Sequence, residues 1–173
     1  VHDNFASAEA ATLDRIQNEH DVVFVIAGTN DRDETMVKRI GAPADSINSL
    51  VVSSVRQDGT PASYSRKGPV LSFLGKPDVA YYGGDDDLRM CVCGKAMSSS
   101  FVRGTSFAAP WIARKMAYLI QIAGLSREAA KALIIDSACG WEPSNNPNMV
   151  GYGVVPRRIE DILTTPNDEI KFI

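Results

Sequence analysis

Ser106 stands in the run Gly104-Thr105-Ser106-Phe107-Ala108-Ala109-Pro110, at the head of a long apolar segment. A serine at a helix start has two chemical assets. Its backbone N–H is among the donors that the first turn leaves without an intrahelical partner. The helix dipole adds partial positive charge at that end. Both favour negative charge growing on a nearby carbonyl oxygen. Small residues at Gly104, Ala108 and Ala109 would let a peptide backbone or a second helix come close. Taken alone, the segment reads equally well as an N-cap serine on a core helix.

The wider pattern favours the chemical reading. G-T-S-x-A-A-P at 104–110 resembles the nucleophile motif of the subtilase family of serine peptidases. Phe24-Val25-Ile26-Ala27-Gly28-Thr29-Asn30 resembles the family's strand ending in A-G-N. Gly41-Ala42-Pro43-Ala44, followed by Ser49 to Val55, resembles the P-A segment and its strand. Tyr64-Ser65-Arg66-Lys67-Gly68-Pro69 is similar to F-S-x-x-G-P, Lys76-Pro77-Asp78-Val79 to K-P-D-V, and Gly151-Tyr152-Gly153 to the closing G-Y-G. The likeness covers most of residues 8–163, with its parts in the family's order.

The resemblance implies an α/β fold: a parallel-sheet, three-layer subtilisin-like domain, truncated on its N-terminal side. Residues 1–165 would form the C-terminal portion of the catalytic domain and 166–173 the start of a following segment. Ser106 would attack the carbonyl of a scissile peptide bond. Asn30 would donate to the oxyanion together with the Ser106 N–H. The family pattern is A-G-N, whereas here Thr29 separates Gly28 from Asn30. Either the loop carries an extra residue or Thr29 takes the Asn position; the longer reach of an amide favours Asn30. Thr105 belongs to the same set. Ile26, Ala27 and Gly28 would line part of the substrate pocket, with Ile26 making it apolar. Phe107 and Trp111 read as core residues.

The family's Asp and His precede the serine, in D-[ST]-G and H-G-T-H motifs, and neither motif occurs in this sequence. Its histidines are His2 and His20. His20 precedes the apolar strand and Asn30 follows it, roughly 20 Å away at the rise of a strand. Catalytic groups in such sheets gather at the C-terminal strand ends. The expectation is therefore a chain that is inactive alone, completed by an N-terminal half carrying Asp, His and part of the peptide groove. The partners so implied are a peptide or protein substrate and that missing half. Apolar sheet surface left bare by its loss would favour a homodimer. A non-catalytic peptide- or protein-binding module is the competing reading. A small-ligand α/β binder is disfavoured by the lack of G-x-G-x-x-G and P-loop motifs.

Certain elements must position these groups. Ala8 to Asn18 has helical spacing. Val22 to Ala27 is a continuous apolar run suited to a strand covered on both faces. Leu50 to Val55 and Asp78 to Tyr82 read as further strands, and Gln57 to Pro61 as a turn. Met90 to Cys93 and Met97 to Val102 suggest a hairpin. The helix from about Ser106 to Ala123 is apolar all round and so reads as buried, with Pro110 in its first turn. Ser126 caps a helix ending near Ser137. Pro156 opens a short helix to Leu163, and Glu169 to Ile173 has strand character.

Composition fits one domain or a large piece of one: 173 residues, 45% hydrophobic and 23% charged. A net charge of −3 with scattered Lys and Arg gives no stripe for nucleic acid. Nothing in the sequence is of transmembrane length, and no signal peptide is visible. Cys91, Cys93 and Cys139 are an odd number of thiols, which argues against a disulfide framework and leans slightly toward a reducing cytoplasm, while the family resemblance keeps secretion open. They read as structural thiols in preference to metal ligands. No cofactor is implied. Calcium, common in the family, maps to no residues here, and Asp85-Asp86-Asp87 reads as a solvated turn.

Overall fold

Leu50–Val55 forms β2, and all six of its residues are buried. A strand alternates its faces, so a strand apolar on both must be covered on both. Leu50 and Val52 face one apolar cluster, while Val51 faces a second with Ile40, Val70 and Leu71. The computed structural model describes residues 5–31, 38–139, 146–165 and 167. His2 and the Glu169 to Ile173 segment lie outside them, as does nearly all of 166–173.

Two strands flank β2. β1 is Val25–Ala27 and β3 is Val79–Tyr82, and both run parallel to β2 in the order β1-β2-β3. The expected strand from Val22 is shorter and more open than its apolar run suggested. Phe24 donates its N–H to the Gln17 side chain at 2.9 Å, Val22 is 39% exposed, and β1 itself is half-buried. Among the described residues β1 pairs only with β2, so its other edge carries no strand.

Helix α1, Ala8–His20, precedes β1; the Ser7 hydroxyl caps it by accepting from Ala10 N. An antiparallel hairpin of β4, Met90–Cys93, and β5, Ser99–Val102, leads into α2, Thr105–Gln121. Met97 lies in the 3-10 turn between the two strands, not in β5. α2 packs across all three parallel strands, burying Ala108, Ile112, Met116 and Leu119 against Leu50, Val52 and Val79. α3, Arg127–Asp136, begins at the expected Ser126 cap. It packs on α2, and Ile162 of α5, Glu160–Leu163, joins the same core. The expected helix from Pro156 is thus confined to its last turn. A short helix that the sequence reading missed, α4, Pro147–Val150, places Val150 against Val55 and Ala80 on the opposite sheet face.

Two expectations about α2 are corrected. Only one side of it is buried: Trp111 is 41% and Tyr118 40% exposed, so Trp111 is not a core residue. The helix also starts at Thr105, which puts Pro110 in the second turn and not the first. There its missing N–H leaves the Ser106 carbonyl without its i+4 donor.

A buried ion pair ties the sheet below this helix. The Lys76 ammonium reaches both Asp78 carboxylate oxygens at 3.0 and 2.7 Å and the Ser49 carbonyl at 2.9 Å. Asp78 in turn accepts from Val51 N at 2.6 Å. The charge on each side chain is thus met by its partner and by backbone, which is what burial of a charge requires.

Candidate active site

Ser106 is the second residue of α2 and is exposed. It is not the N-cap; Gly104 is, with φ +150°. That φ favours glycine, and a Cβ there would lie 3.1 Å from Asn30 Nδ2. The first turn is closed by Phe107 N donating to Gly104 O at 2.9 Å. The Ser106 N–H has no acceptor among the described residues, as its helix position dictates.

Asn30 follows β1 and reaches the same helix end. Its Oδ1 accepts from Thr105 N at 3.0 Å and from Thr105 Oγ1 at 2.8 Å. A backbone N–H can only donate, so the atom facing it must be the amide oxygen. The amide nitrogen is thereby turned to the Gly104 side. It makes no hydrogen bond to a described residue, and Asn30 is exposed. Two undonated N–H groups, from Ser106 and Asn30, therefore sit at one helix terminus beside the serine.

Thr29 points elsewhere. Its φ of +68° puts it in the left-handed region, uncommon for a threonine. Its hydroxyl donates to Gly28 O at 2.6 Å and accepts from Gly41 N at 3.2 Å. Gly28 N bonds Val52 O at 2.8 Å, which keeps the end of β1 against β2. Ala27 packs on the α2 side of the sheet, whereas Ile26 alternates to the other face, beside Ile40, Val51 and Val70. The structure therefore brings Asn30, Thr105 and Ser106 together, with Ile26 on the sheet face opposite α2. His20 is the last residue of α1 and is separated from Asn30 by the whole of β1.

The segment after β2 holds the loop in place. Asp31 N bonds Tyr64 O at 2.7 Å, and Arg66 Nε donates to Asn30 O at 3.1 Å. The Tyr64 hydroxyl donates to Gly84 O at 2.6 Å, and burial pushes its acidity down by raising its pKa, so it stays a donor. Gly83 O accepts from Gly104 N at 3.0 Å. A Cβ on Gly83 would lie 2.2 Å from Ser54 Oγ, so only glycine fits where β3 passes under the serine loop.

Asp85 corrects the solvated-turn reading of its acidic run. It is 1% exposed. It accepts from Ser63 N and Ser63 Oγ, both at 2.8 Å, from Arg56 Nε at 2.7 Å and from Arg103 at 3.2 Å. Burial alone would raise its pKa, but the donations from Ser63 and Arg56 outweigh it and hold the carboxyl well below the usual range. Arg103 also lies 5.2 Å above the Tyr64 ring and directly precedes Gly104. The signal for Asp85 was absent from the sequence because its partners lie 18 to 29 residues away. Among the described residues no cluster of His, Cys, Asp and Glu is suited to a metal. The three cysteines are free and exposed, so they are surface thiols and not core ones.

The profile of the subtilase family matches residues 2–153. This chain belongs to the subtilase family. Subtilisin-like protease 2 of Pseudogymnoascus destructans is 31% identical over 151 residues, covering 85% of this chain and 34% of that protein. Subtilisin-like protease 1 of the same fungus is 32% identical over 135 residues, covering 76% and 31%. The chain thus spans about a third of the curated relatives it matches. The patellamide maturation protease PatA shares its fold, with TM-score 0.69 and 18% identity over 94% of this chain and 57% of that one. A protease of Pseudoalteromonas arctica does so as well, with TM-score 0.69 and 20% identity over 92% and 47%. A subtilase relationship accounts for the parallel sheet under α2. Among the described residues no helix is long and apolar enough to cross a membrane.

Proposed function

We propose that this chain is the C-terminal portion of a subtilase catalytic domain, ending near residue 165, that hydrolyses peptide bonds through an acyl-enzyme on Ser106. The observation that carries the reading is the pair of N–H groups, of Ser106 and Asn30, that find no acceptor among the described residues, beside an exposed serine hydroxyl. The Ser106 Oγ adds to the peptide carbonyl carbon as a base takes its proton. The carbonyl oxygen gains negative charge between the Ser106 N–H and Asn30 Nδ2. Collapse expels the amine, which takes the proton, and water then cleaves the ester. Ile26 and Gly28, two residues apart and so on one side of the strand, line part of the pocket for the substrate side chain before the scissile bond, and Gly28 keeps it open.

The base and its orienting carboxylate come from upstream residues of the longer protein. His20 stands at the wrong end of β1 to serve. Without a base the hydroxyl is a poor nucleophile at neutral pH, so the 173-residue chain is inactive alone. The upstream half docks along the edge of β1 that pairs with no described strand. In its absence the same edge pairs two copies into a homodimer.

Peptide hydrolysis by the full-length protein, by its Ser106→Ala variant and by residues 1–173 tests this reading. Turnover by the full-length protein alone supports it. Peptide binding without turnover in all three would instead mean a non-catalytic binding module. A strictly monomeric 1–173 chain at high concentration would remove the dimer.

A further inference from the structure

An open groove of about 1050 Å³ runs between the exposed side of α2, the end of β3, the start of β4 and the strand-like segment at Val154. Ser106, Asn30 and Gly28 are not among its lining residues. Its walls are aromatic: Tyr81 and Trp111 have ring centroids 6.4 Å apart, and Tyr118 follows two turns along α2. This explains why α2 carries large apolar side chains on the side it does not bury.

The groove is also cationic, in a chain with 21 acidic and 18 basic residues. Arg56, Arg89, Arg114, Lys115 and Arg157 line it, and no Asp or Glu does among the described residues. Arg56 and Arg89 are engaged by Asp85 and Asp86. Arg114, Lys115 and Arg157 form no ion pair with a described residue. Arg114 lies 5.9 Å over the Trp111 ring and Lys115 5.6 Å over the Tyr81 ring. Lys115 is 8% exposed, and its one described hydrogen bond is to the Arg157 carbonyl, at 2.6 Å. Burial, followed by the nearby Arg114, depresses its pKa, against the weaker pull of Asp161 and Glu160 behind it. Arg114 and Lys115 repel one another and neither is ion-paired to a described residue, and carboxylates arriving in the groove would relieve that repulsion.

We propose that this groove binds an acidic peptide segment of a partner protein, with its carboxylates on Arg114, Lys115 and Arg157 and its apolar side chains against Trp111 and Tyr118. The volume is at the top of the range of small-molecule pockets, about 300–1000 Å³, and suits several peptide residues. Arg and large aromatics are also the residue types that dominate interface energies.

The test uses the full-length protein, a fluorescein-labelled nonapeptide of Glu, Leu and Tyr, and the same peptide with Lys for Glu. Anisotropy is expected to show saturable binding of the acidic peptide only, weakened about tenfold between low and high salt. Arg114→Gln with Arg157→Gln is expected to weaken it about tenfold or more while leaving the far-UV circular dichroism unchanged. Blocking Ser106 with a fluorophosphonate is expected to leave binding intact. No saturable binding, equal binding of both peptides, or undiminished binding by the double variant would overturn the proposal. Loss of binding on blocking Ser106 would move the peptide to the active site and overturn it too.

Discussion

Thr105 donates both its backbone N–H and its hydroxyl to Asn30 Oδ1, at 3.0 and 2.8 Å. One acceptor atom is thus saturated by the residue before Ser106. The opposite end of the amide is left as a fixed donor. Rigid placement of that kind makes a hydrogen bond effective in a transition state, since no reorganisation is needed when charge develops.

Removing the donor while keeping the acceptor separates these two roles. Asn30→Asp in the full-length protein retains the bonds from Thr105 but offers no N–H. We expect kcat to fall by about 10²–10³-fold with little change in KM. Steady-state kinetics and a thermal melt check this, and the melting temperature should hold.

Thr105→Val deletes one of the two bonds and leaves the backbone donor. The expected stability loss is about 1 kcal/mol. The kcat loss should be smaller than that of Asn30→Asp, because Asn30 Nδ2 remains. Urea unfolding and kinetics on the same variant test both parts.

Gly104→Ala places a methyl group 3.1 Å from Asn30 Nδ2 at a φ of +150°. Backbone strain at such a position costs about 1–3 kcal/mol. Relief of that strain would displace the amide, so activity should fall more than stability alone explains. Comparing kcat below the melting transition with the wild-type value checks it.

Asp85 couples stability to pH. Its folded pKa lies below the ordinary value of 3.8, so the folded state holds the proton less tightly than the unfolded chain. The stabilisation is fully present above about pH 4–5 and is lost as the pH falls toward the folded value. Asp85→Asn should lower stability by about 1–3 kcal/mol at neutral pH, since the charge-assisted bonds from Arg56 and Arg103 are lost. It should also flatten the acid limb of a stability-versus-pH curve. Denaturant melts from pH 3 to 7 on both proteins measure this.

Much of the fold around the candidate site could be read from residue order. The β2 run is apolar throughout and bounded by turn formers, which leaves few alternatives to a buried strand. The serine segment announced a helix start because small residues and a proline surround it. Other features depend on distant partners. Asp85 looks solvated until Arg56, Ser63 and Arg103 are brought to it by the fold. Trp111 looks like core because apolar residues cover all of α2, and only the position of the sheet decides which side is buried. Thr29 left its loop ambiguous because a left-handed threonine is a local conformation that spacing does not reveal. Ile26 and Ala27 are neighbours in sequence, but strand alternation puts them on opposite faces.

The most direct test of Ser106 as nucleophile is labelling with a fluorophosphonate probe, read by mass spectrometry at Ser106, on the full-length protein and on residues 1–173. Label at Ser106 in the full-length protein and none in the 1–173 chain is the predicted result. No label on the full-length protein would contradict the acyl-enzyme account, and label on the 1–173 chain would contradict its need for an upstream base.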